Sequence, residues 1–142
     1  MSTMNRIGNA GNRFQGQFKR VLCVCSAGLL RSPTAAFVLS QEPYNFNTRA
    51  VGISREYALI PLESVHLHWA DEIVTMEQDH TDFVKQRLVD FGFSSELSPP
   101  IIQLDIPDDF AYRDPELINS IKNRYSYITK SLNNFYGPVA QW

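Results

Sequence analysis

The stretch that most constrains the fold is residues 21–33, where a short apolar run passes into small residues and then into a helical pattern. Its first five residues, Val-Leu-Cys-Val-Cys, are rich in β-branched and apolar side chains, as expected for a buried strand. After five further residues come Arg31, Ser32 and Pro33, and a proline is tolerated in the first turn of a helix. The sequence therefore predicts a strand, a tight loop and a helix start in direct succession.

The alternation of short apolar runs and helical patterns continues along the chain. Because strands that alternate with helices form a parallel sheet covered on both faces, we expect a three-layer α/β fold with four parallel strands. Ligands in such folds bind at the carboxyl ends of the strands, and Cys25 and the acidic segment after Leu104 both lie at such ends. The predicted strands are residues 19–25, 46–51, 72–76 and 101–104, and the predicted helices are 32–41, a helix from 61, 81–91 and 116–135.

Length, composition and charge indicate a single soluble domain. The chain has 142 residues, enough for one core; residues 1–18 are polar and predicted to be a flexible arm before one domain at residues 19–142. The net charge of −2 gives no reason to expect a nucleic-acid partner. The sequence shows neither a membrane-spanning apolar run nor an N-terminal signal core, so we expect no membrane association.

The two cysteines are predicted to be free thiols. Cys23 and Cys25 are too close in sequence for an easy structural disulfide, which favours a reducing, cytoplasmic location. Cys23 lies inside the predicted strand, so we expect a small buried side chain there. Cys25 lies where the strand passes into the loop.

Residues 25–32, here called the anion loop, have the composition of an anion-binding site. A loop between a strand and a helix directs several backbone N–H groups into one concavity, and the helix dipole adds positive potential. Gly28 can adopt a positive φ, and the planar guanidinium of Arg31 can grip two phosphate oxygens. The same field favours the nucleophilic thiolate of Cys25, to which the Ser32 hydroxyl can bond.

Residues 21–35 resemble the signature of the low-molecular-weight protein tyrosine phosphatases, in which a hydrophobic strand runs into Cys-(X)5-Arg-Ser-Pro-X-Ala. Weaker similarity covers residues 51–54, residues 69–76 and the Leu-Asp-Ile-Pro-Asp-Asp segment at 104–109, which is similar to a compact bacterial and phage branch. The resemblance implies the strand order 2-1-3-4, counting the four predicted strands. It also implies a phosphatase that forms a cysteinyl-phosphate on Cys25, with Arg31 stabilising the transferred group.

The resemblance also implies the class of substrate and the residues that bind it. The expected partner is a phosphorylated protein or a small phosphate monoester, with phosphotyrosine as the best single guess, and no metal or other cofactor is expected. The residues expected to contact the substrate are Ser26, Ala27, Gly28, Leu29, Leu30, Ser32, Phe110 and Tyr112.

The anion loop departs from the family pattern at two positions. The family usually has Asn where this chain has Gly28; both residues tolerate the left-handed conformation, but the hydrogen bonds of the Asn side chain are lost. Leu30 occupies the position at which many members carry a second cysteine that protects the nucleophile as a disulfide. We therefore expect a loop without that redox protection.

Cleavage of a phosphate ester leaves an alkoxide or phenoxide that needs a proton, which a carboxylic acid above the loop can supply. The acidic segment offers Asp105, Asp108, Asp109 and Asp114. In the family the acid is an Asp followed by Pro and aromatic residues, and this register favours Asp108 while the other three stay open. Asp114 precedes Pro115, a pattern that favours a helix N-cap.

Two other functions are compatible with the same loop. Arsenate reduction, known on this scaffold, needs additional cysteines to resolve the first thiol adduct, and only Cys23 is available besides Cys25. A non-catalytic phosphate-binding or interaction module would need the loop but no acid. His66, His68 and His80 are predicted to be surface or packing residues, because their spacing does not suit a metal site.

Overall fold

The computed structural model describes residues 9–10, 18–26, 31–54, 56, 58, 60–107 and 113–136. These residues form five strands and four helices. The strands are β1 (Asn9–Ala10), β2 (Arg20–Cys25), β3 (Asn47–Gly52), β4 (Glu72–Thr75) and β5 (Ile101–Gln103). The helices are α1 (Arg31–Ser40), α2 (Ser64–Trp69), α3 (Gln78–Asp90) and α4 (Pro115–Tyr136).

The strands form one sheet in the order β1-β3-β2-β4-β5. β2 pairs in parallel with β3 and β4, and β4 pairs in parallel with β5. Counted over the four predicted strands this is the order 2-1-3-4, so the predicted fold class is confirmed. β1 was not expected: Asn9 and Ala10 pair antiparallel with Arg49 and Thr48 of β3. Two residues are too few to show a strand period in a sequence, and the flexibility of the N-terminal arm stays a prediction.

Alternate residues of β2 point into two separate cores. Val21, Cys23 and Cys25 pack with α1 and α4 on one face of the sheet, while Leu22 and Val24 pack with α2 and α3 on the other. All five side chains are buried, as expected for a central parallel strand that helices cover on both sides. The strand that ends at Cys25 is therefore enclosed on both faces of the sheet.

The helices differ from their predicted limits mainly at their first turns. α3 begins at Gln78 rather than at residue 81, because Glu77 acts as its N-cap and forms a capping box with His80. α2 begins at Ser64, after Pro61 has paired with Gly52 in an isolated β-bridge. Among the described residues, no helix is long and apolar enough to cross a membrane.

A buried polar network joins the amino ends of β2 and β4 to α4, at the edge of the sheet opposite Cys25. The Lys19 Nζ atom donates to Oε1 of Glu72 over 2.6 Å and to the Tyr125 hydroxyl over 3.2 Å. That hydroxyl donates in turn to Oε2 of Glu72 over 2.8 Å. The neighbouring pair of Arg20 and Asp71 spans 3.0 Å but is about half exposed. The buried ion pair of Lys19 and Glu72 therefore lies beside the half-exposed pair of Arg20 and Asp71.

Candidate active site

The structure describes some of the predicted site residues and leaves others outside the described part. Cys25, Ser26, Arg31 and Ser32 are described, and all four lie at the carboxyl end of β2 or in the first turn of α1. The predicted site residues that lie outside the described residues are Ala27, Gly28, Leu29, Leu30, Asp108, Asp109, Phe110 and Tyr112.

Cys25 and Ser32 are in direct contact at the two ends of the anion loop. Cys25 is the last residue of β2 and is only 3% exposed, and its thiol donates a hydrogen bond to the Ser32 Oγ atom over 3.2 Å. The Ser32 hydroxyl donates in turn to the carbonyl oxygen of Val51 over 3.3 Å. When the thiol loses its proton, the Ser32 hydroxyl can rotate and donate to the sulfur instead, because the same distance then joins a donor to an anion.

Arg31 is held in place by groups from two other loops. It is the first residue of α1 and only 2% exposed. Its Nη1 atom donates to the carbonyl oxygen of Ile106 over 2.8 Å and lies 3.3 Å from Oε1 of Glu77. A buried guanidinium is costly unless its donors are paired, so these partners fix the orientation of Arg31 before any ligand binds.

The entry to the anion loop is held by an extension of the β2–β3 pairing. The amide of Ile53 donates to the Cys25 carbonyl over 3.0 Å, and the amide of Ser54 donates to the Ser26 carbonyl over 2.9 Å. Because these bonds continue beyond the last residue of each strand, the backbone on both sides of the Cys25 side chain is fixed.

Glu77 and His80 belong to the site, although the sequence predictions assigned neither of them to it. His80 is fully buried, and its Nε2 atom lies 3.0 Å from Oγ of Ser26. The amide of Glu77 donates to Nδ1 of His80 over 3.1 Å. The missed signal was the Glu-x-x-His pattern directly after the third predicted strand, where a helix start coincides with the ligand-binding edge of the sheet.

Glu77, Asp79 and His80 also form a cluster in which one potential metal-ligand atom from each lies within 4.8 Å of the others. Both ring nitrogens of His80 are engaged, Nδ1 with the Glu77 amide and Nε2 with Ser26. A histidine ligates a metal through an unprotonated nitrogen that has no other partner. The cluster in this arrangement therefore offers a hydrogen-bonded brace rather than a set of metal ligands.

Two of the four candidate acids are engaged in other interactions. Asp105 accepts a hydrogen bond from Gln103 over 2.6 Å and forms an ion pair with Arg124 at 3.3 Å. Asp114 accepts from the amide of Glu116 over 2.8 Å, which makes it the N-cap of α4 as the sequence favoured. The other two candidates, Asp108 and Asp109, lie outside the described residues.

Cys23 is a buried core residue, as predicted. Both cysteines are free thiols and pack in the same core beneath α1, where Cys23 has no exposed surface and Cys25 is 3% exposed. Burial, together with the charges of Glu72 and Cys25, raises the pKa of the Cys23 thiol. It is therefore a packing residue, since the reactive form of cysteine is the thiolate.

Solved structures provide the most informative comparison. No protein-family model and no curated protein sequence matches the chain. The YwlE arginine phosphatase of Geobacillus stearothermophilus superposes with a TM-score of 0.55 at 20% identity, covering 86% of this chain and 99% of that one. A low-molecular-weight phosphotyrosine phosphatase of Vibrio cholerae O395 superposes with a TM-score of 0.56 at 16% identity, covering 81% and 97%.

The chain has the low-molecular-weight phosphatase fold. The tyrosine phosphatase AmsI of Erwinia amylovora agrees, with a TM-score of 0.55 at 15% identity and coverage of 85% of this chain and 98% of that one. Identities of this size establish the fold and leave the activity to the residues themselves. Within the low-molecular-weight phosphatase fold, the residues that meet at the carboxyl end of β2 are Cys25, Ser26, Arg31, Ser32, Glu77 and His80.

Proposed function

We propose that the chain is a cysteine-dependent phosphatase that hydrolyses phosphate monoesters, with phosphotyrosine as the first substrate to test. The observation that carries this proposal is the contact of the Cys25 thiol with Ser32, one residue after the buried and anchored Arg31. An arrangement of this kind is suited to a nucleophile that works beside a bound oxyanion. The fold, shared with tyrosine and arginine phosphatases, supports the same conclusion.

In the first step, the Cys25 thiolate attacks phosphorus in line with the departing ester oxygen. The S–P bond forms as the P–O bond breaks, and Asp108 gives its proton to the leaving oxygen. Arg31 and the backbone N–H groups of residues 26–31 stabilise the three equatorial oxygens, where negative charge accumulates. The Ser32 hydroxyl, 3.2 Å from the sulfur, stabilises the thiolate before attack.

In the second step, water attacks the cysteinyl-phosphate. Asp108, now a carboxylate, removes a proton from the water, and the S–P bond breaks to release inorganic phosphate and the Cys25 thiolate. The Ser32 hydroxyl favours this departure because it can donate to the sulfur as negative charge returns to it. The guanidinium and the loop amides supply the positive potential for both steps, so the proposal uses no metal.

The assignment of the acid to Asp108 is also part of the proposal. Asp105 is paired with Arg124, and Asp114 caps α4, so moving either carboxyl to the leaving group would break existing bonds. Asp109 is the remaining alternative. A non-catalytic phosphate-binding module would use the same loop, and it predicts binding of inorganic phosphate without turnover.

The experiment compares wild type with Cys25→Ser, Asp108→Asn and Asp105→Asn on p-nitrophenyl phosphate, phosphotyrosine and phosphoarginine between about pH 5 and about pH 7.5. We expect Cys25→Ser to be inactive and Asp108→Asn to lose about 10²–10⁴-fold in kcat on phosphotyrosine, whose leaving group needs a proton. The loss on p-nitrophenyl phosphate should be smaller, since its leaving group needs less protonation.

Asp105→Asn is the matched control, because it removes a carboxylate from the same segment. We expect its kcat to stay within about twofold of wild type. Absence of wild-type turnover on p-nitrophenyl phosphate and phosphotyrosine would reject the proposal of monoester hydrolysis, and turnover of phosphoarginine alone would indicate P–N rather than P–O cleavage. A large loss in Asp105→Asn with an active Asp108→Asn would transfer the acid role to Asp105.

A further inference from the structure

We propose that the capping box of Glu77 and His80 at the start of α3 is the positioning device of the anion loop and holds both of its ends. The inference rests on the proposed function in so far as the loop binds phosphate. Glu77 reaches Arg31 at the far end of the loop, and His80 reaches Ser26 at its beginning. In the part of the chain that the structure describes, Glu77 contacts Arg31 and His80 contacts Ser26, so both act as positioning residues.

At the far end, Glu77 orients the guanidinium. Its Oε1 atom lies 3.3 Å from Nη1 of Arg31, the same nitrogen that donates to the Ile106 carbonyl over 2.8 Å. The Glu77 side chain also accepts from the backbone amide of His80 as part of the capping box. Since a carboxylate can accept several hydrogen bonds at once, one side chain begins the helix and fixes the arginine.

At the near end, the hydrogen bonds define the tautomer of His80. Nδ1 accepts from the Glu77 amide over 3.1 Å, so Nδ1 carries no proton. A neutral ring in this fully buried position then carries its proton on Nε2, which lies 3.0 Å from Oγ of Ser26. His80 therefore donates to Ser26.

This direction of donation has a consequence for Ser26. Because its Oγ atom accepts a hydrogen bond from His80, the hydroxyl proton of Ser26 points away from that ring. Ser26 is half-buried and directly follows the nucleophile Cys25. A hydroxyl that accepts one hydrogen bond becomes a better donor in the next. The capping box thus both fixes Ser26, the second residue of the loop, and orients its hydroxyl as a donor.

The brace adds to the contact that the loop makes within itself between Cys25 and Ser32. Gly28, which has no side chain, cannot contribute a side-chain hydrogen bond. Glu77 and His80 hold the loop from the neighbouring β4–α3 connection, which begins at the same edge of the sheet because β4 pairs in parallel with β2. Glu77, which contacts Arg31, and His80, which contacts Ser26, are joined to each other by the two hydrogen bonds of the capping box.

The chain contains a matched control for this proposal. α2 begins with a second capping box of the same residue types, in which the Glu63 amide donates to Nδ1 of His66 over 2.9 Å. Among the described residues, neither Glu63 nor His66 bonds to the anion loop. Substitutions in the two boxes should therefore have similar effects on helix capping and different effects on the loop.

The experiment compares His80→Gln and Ser26→Ala with His66→Gln. Glutamine can take part in a capping box at the same helix position, so each helix keeps its cap while the imidazole is lost. The first readout uses inorganic phosphate as the probe. Mass spectrometry follows the alkylation of Cys25 by iodoacetamide, and the degree to which phosphate slows this reaction measures phosphate binding without turnover. The second readout is kcat and KM on p-nitrophenyl phosphate.

We expect His80→Gln and Ser26→Ala each to weaken phosphate protection and to lower kcat/KM by about tenfold, the size of one lost hydrogen bond. His66→Gln should stay within about twofold of wild type in both readouts. The double variant Ser26→Ala/His80→Gln should lose about tenfold rather than about a hundredfold, because the two changes remove one shared interaction.

A second pair of variants, Glu77→Gln and Glu63→Gln, tests the contact between Glu77 and Arg31. Glu77→Gln keeps an acceptor for the helix amide but removes the charge beside Arg31. We expect kcat to fall by about tenfold without weaker phosphate protection, because the guanidinium loses its anchor while the opposing negative charge is also gone. Glu63→Gln is the control and should leave both quantities unchanged.

Several results would overturn the proposal. One is equal behaviour of His80→Gln and His66→Gln in both readouts, and another is multiplicative losses in the double variant. An unchanged kcat in Glu77→Gln would show that Glu77 does not position Arg31. Ser26→Ala, at a partly exposed position, keeps the test valid if His80→Gln does not fold. If the wild type shows no turnover but its protection by phosphate still depends on His80, hydrolysis is rejected, while the positioning role of the capping box stands.

Discussion

Substitution of Glu72 by glutamine tests how the buried network at the amino ends of β2 and β4 contributes to stability. The side chains of Lys19 and Glu72 are each 5% exposed and 2.6 Å apart, and Tyr125 bonds to both. Glu72→Gln keeps the size of the side chain but removes its negative charge. The Lys19 ammonium then stays buried beside a neutral amide and a hydroxyl.

The expected cost follows from these contacts. Glu72 accepts two hydrogen bonds, one of them from a buried cation, and breaking a buried pair by removing one partner costs about 3–5 kcal/mol. Because whole domains are stable by only about 5–15 kcal/mol, this is a large fraction of the total. We expect the midpoint of thermal unfolding to fall by about 10–20 °C.

The pH dependence of the loss provides a second check. Burial lowers the pKa of Lys19, and the Glu72 carboxylate partly opposes this effect, so the pKa should fall further in Glu72→Gln. The unfolded chain, whose lysine titrates near about pH 10.4, then binds more protons than the folded chain. Stability of the variant should therefore rise as pH increases from about 7 towards about 10.

Asp71→Asn is the control, because Asp71 precedes Glu72 and pairs with Arg20, which follows Lys19. This pair is about half exposed and should contribute less than about 1 kcal/mol. Urea unfolding of both variants, followed by circular dichroism, gives the two free energies. Equal losses would refute the argument that burial distinguishes the pairs, and so would a loss in Glu72→Gln that is independent of pH.

Two further predictions concern single titratable groups. Burial, aided by the charge of Arg49, lowers the pKa of His66. The unfolded chain therefore binds more protons than the folded chain below about pH 6.5, and the free energy of unfolding should fall there. In His66→Gln the midpoint of urea unfolding should depend less on pH between about pH 5 and about pH 7. Burial raises the pKa of the Cys23 thiol, so iodoacetamide should alkylate Cys25 at least about a hundredfold faster in the folded protein, and equal rates by mass spectrometry would contradict the assignment of Cys23 to the core.

The four parallel strands, though not their order, followed from signals that are local in the sequence. The apolar run of residues 21–25 and the helical pattern after Pro33 each reflect burial of one element, and the resemblance supplied the order in which the strands meet. The N-cap role of Asp114 was also predictable, because a side-chain acceptor before a proline depends only on neighbouring residues.

What the sequence did not reveal depends on contacts between distant segments. His80 was expected to be a surface or packing residue. Its partner Ser26 lies 54 positions away in the sequence, so no local pattern links the two residues. The role of Glu77 arises in the same way, since Arg31 approaches it only when β2 and β4 pair. Strand β1 was missed for a different reason: its two residues pair through backbone groups that any sequence provides.

The central place of β2 also determines how the protein can open. Val21 to Val24 have hydrogen-bonded strands on both sides, whereas β5 is short and, within the described residues, pairs with β4 alone. Amide hydrogens in such central strands exchange with solvent only when the whole domain unfolds, while edge segments exchange through small local openings. The backbone beneath Cys25 therefore belongs to the slowest-exchanging unit, and denaturant below the global transition should loosen the periphery while the sulfur keeps its position.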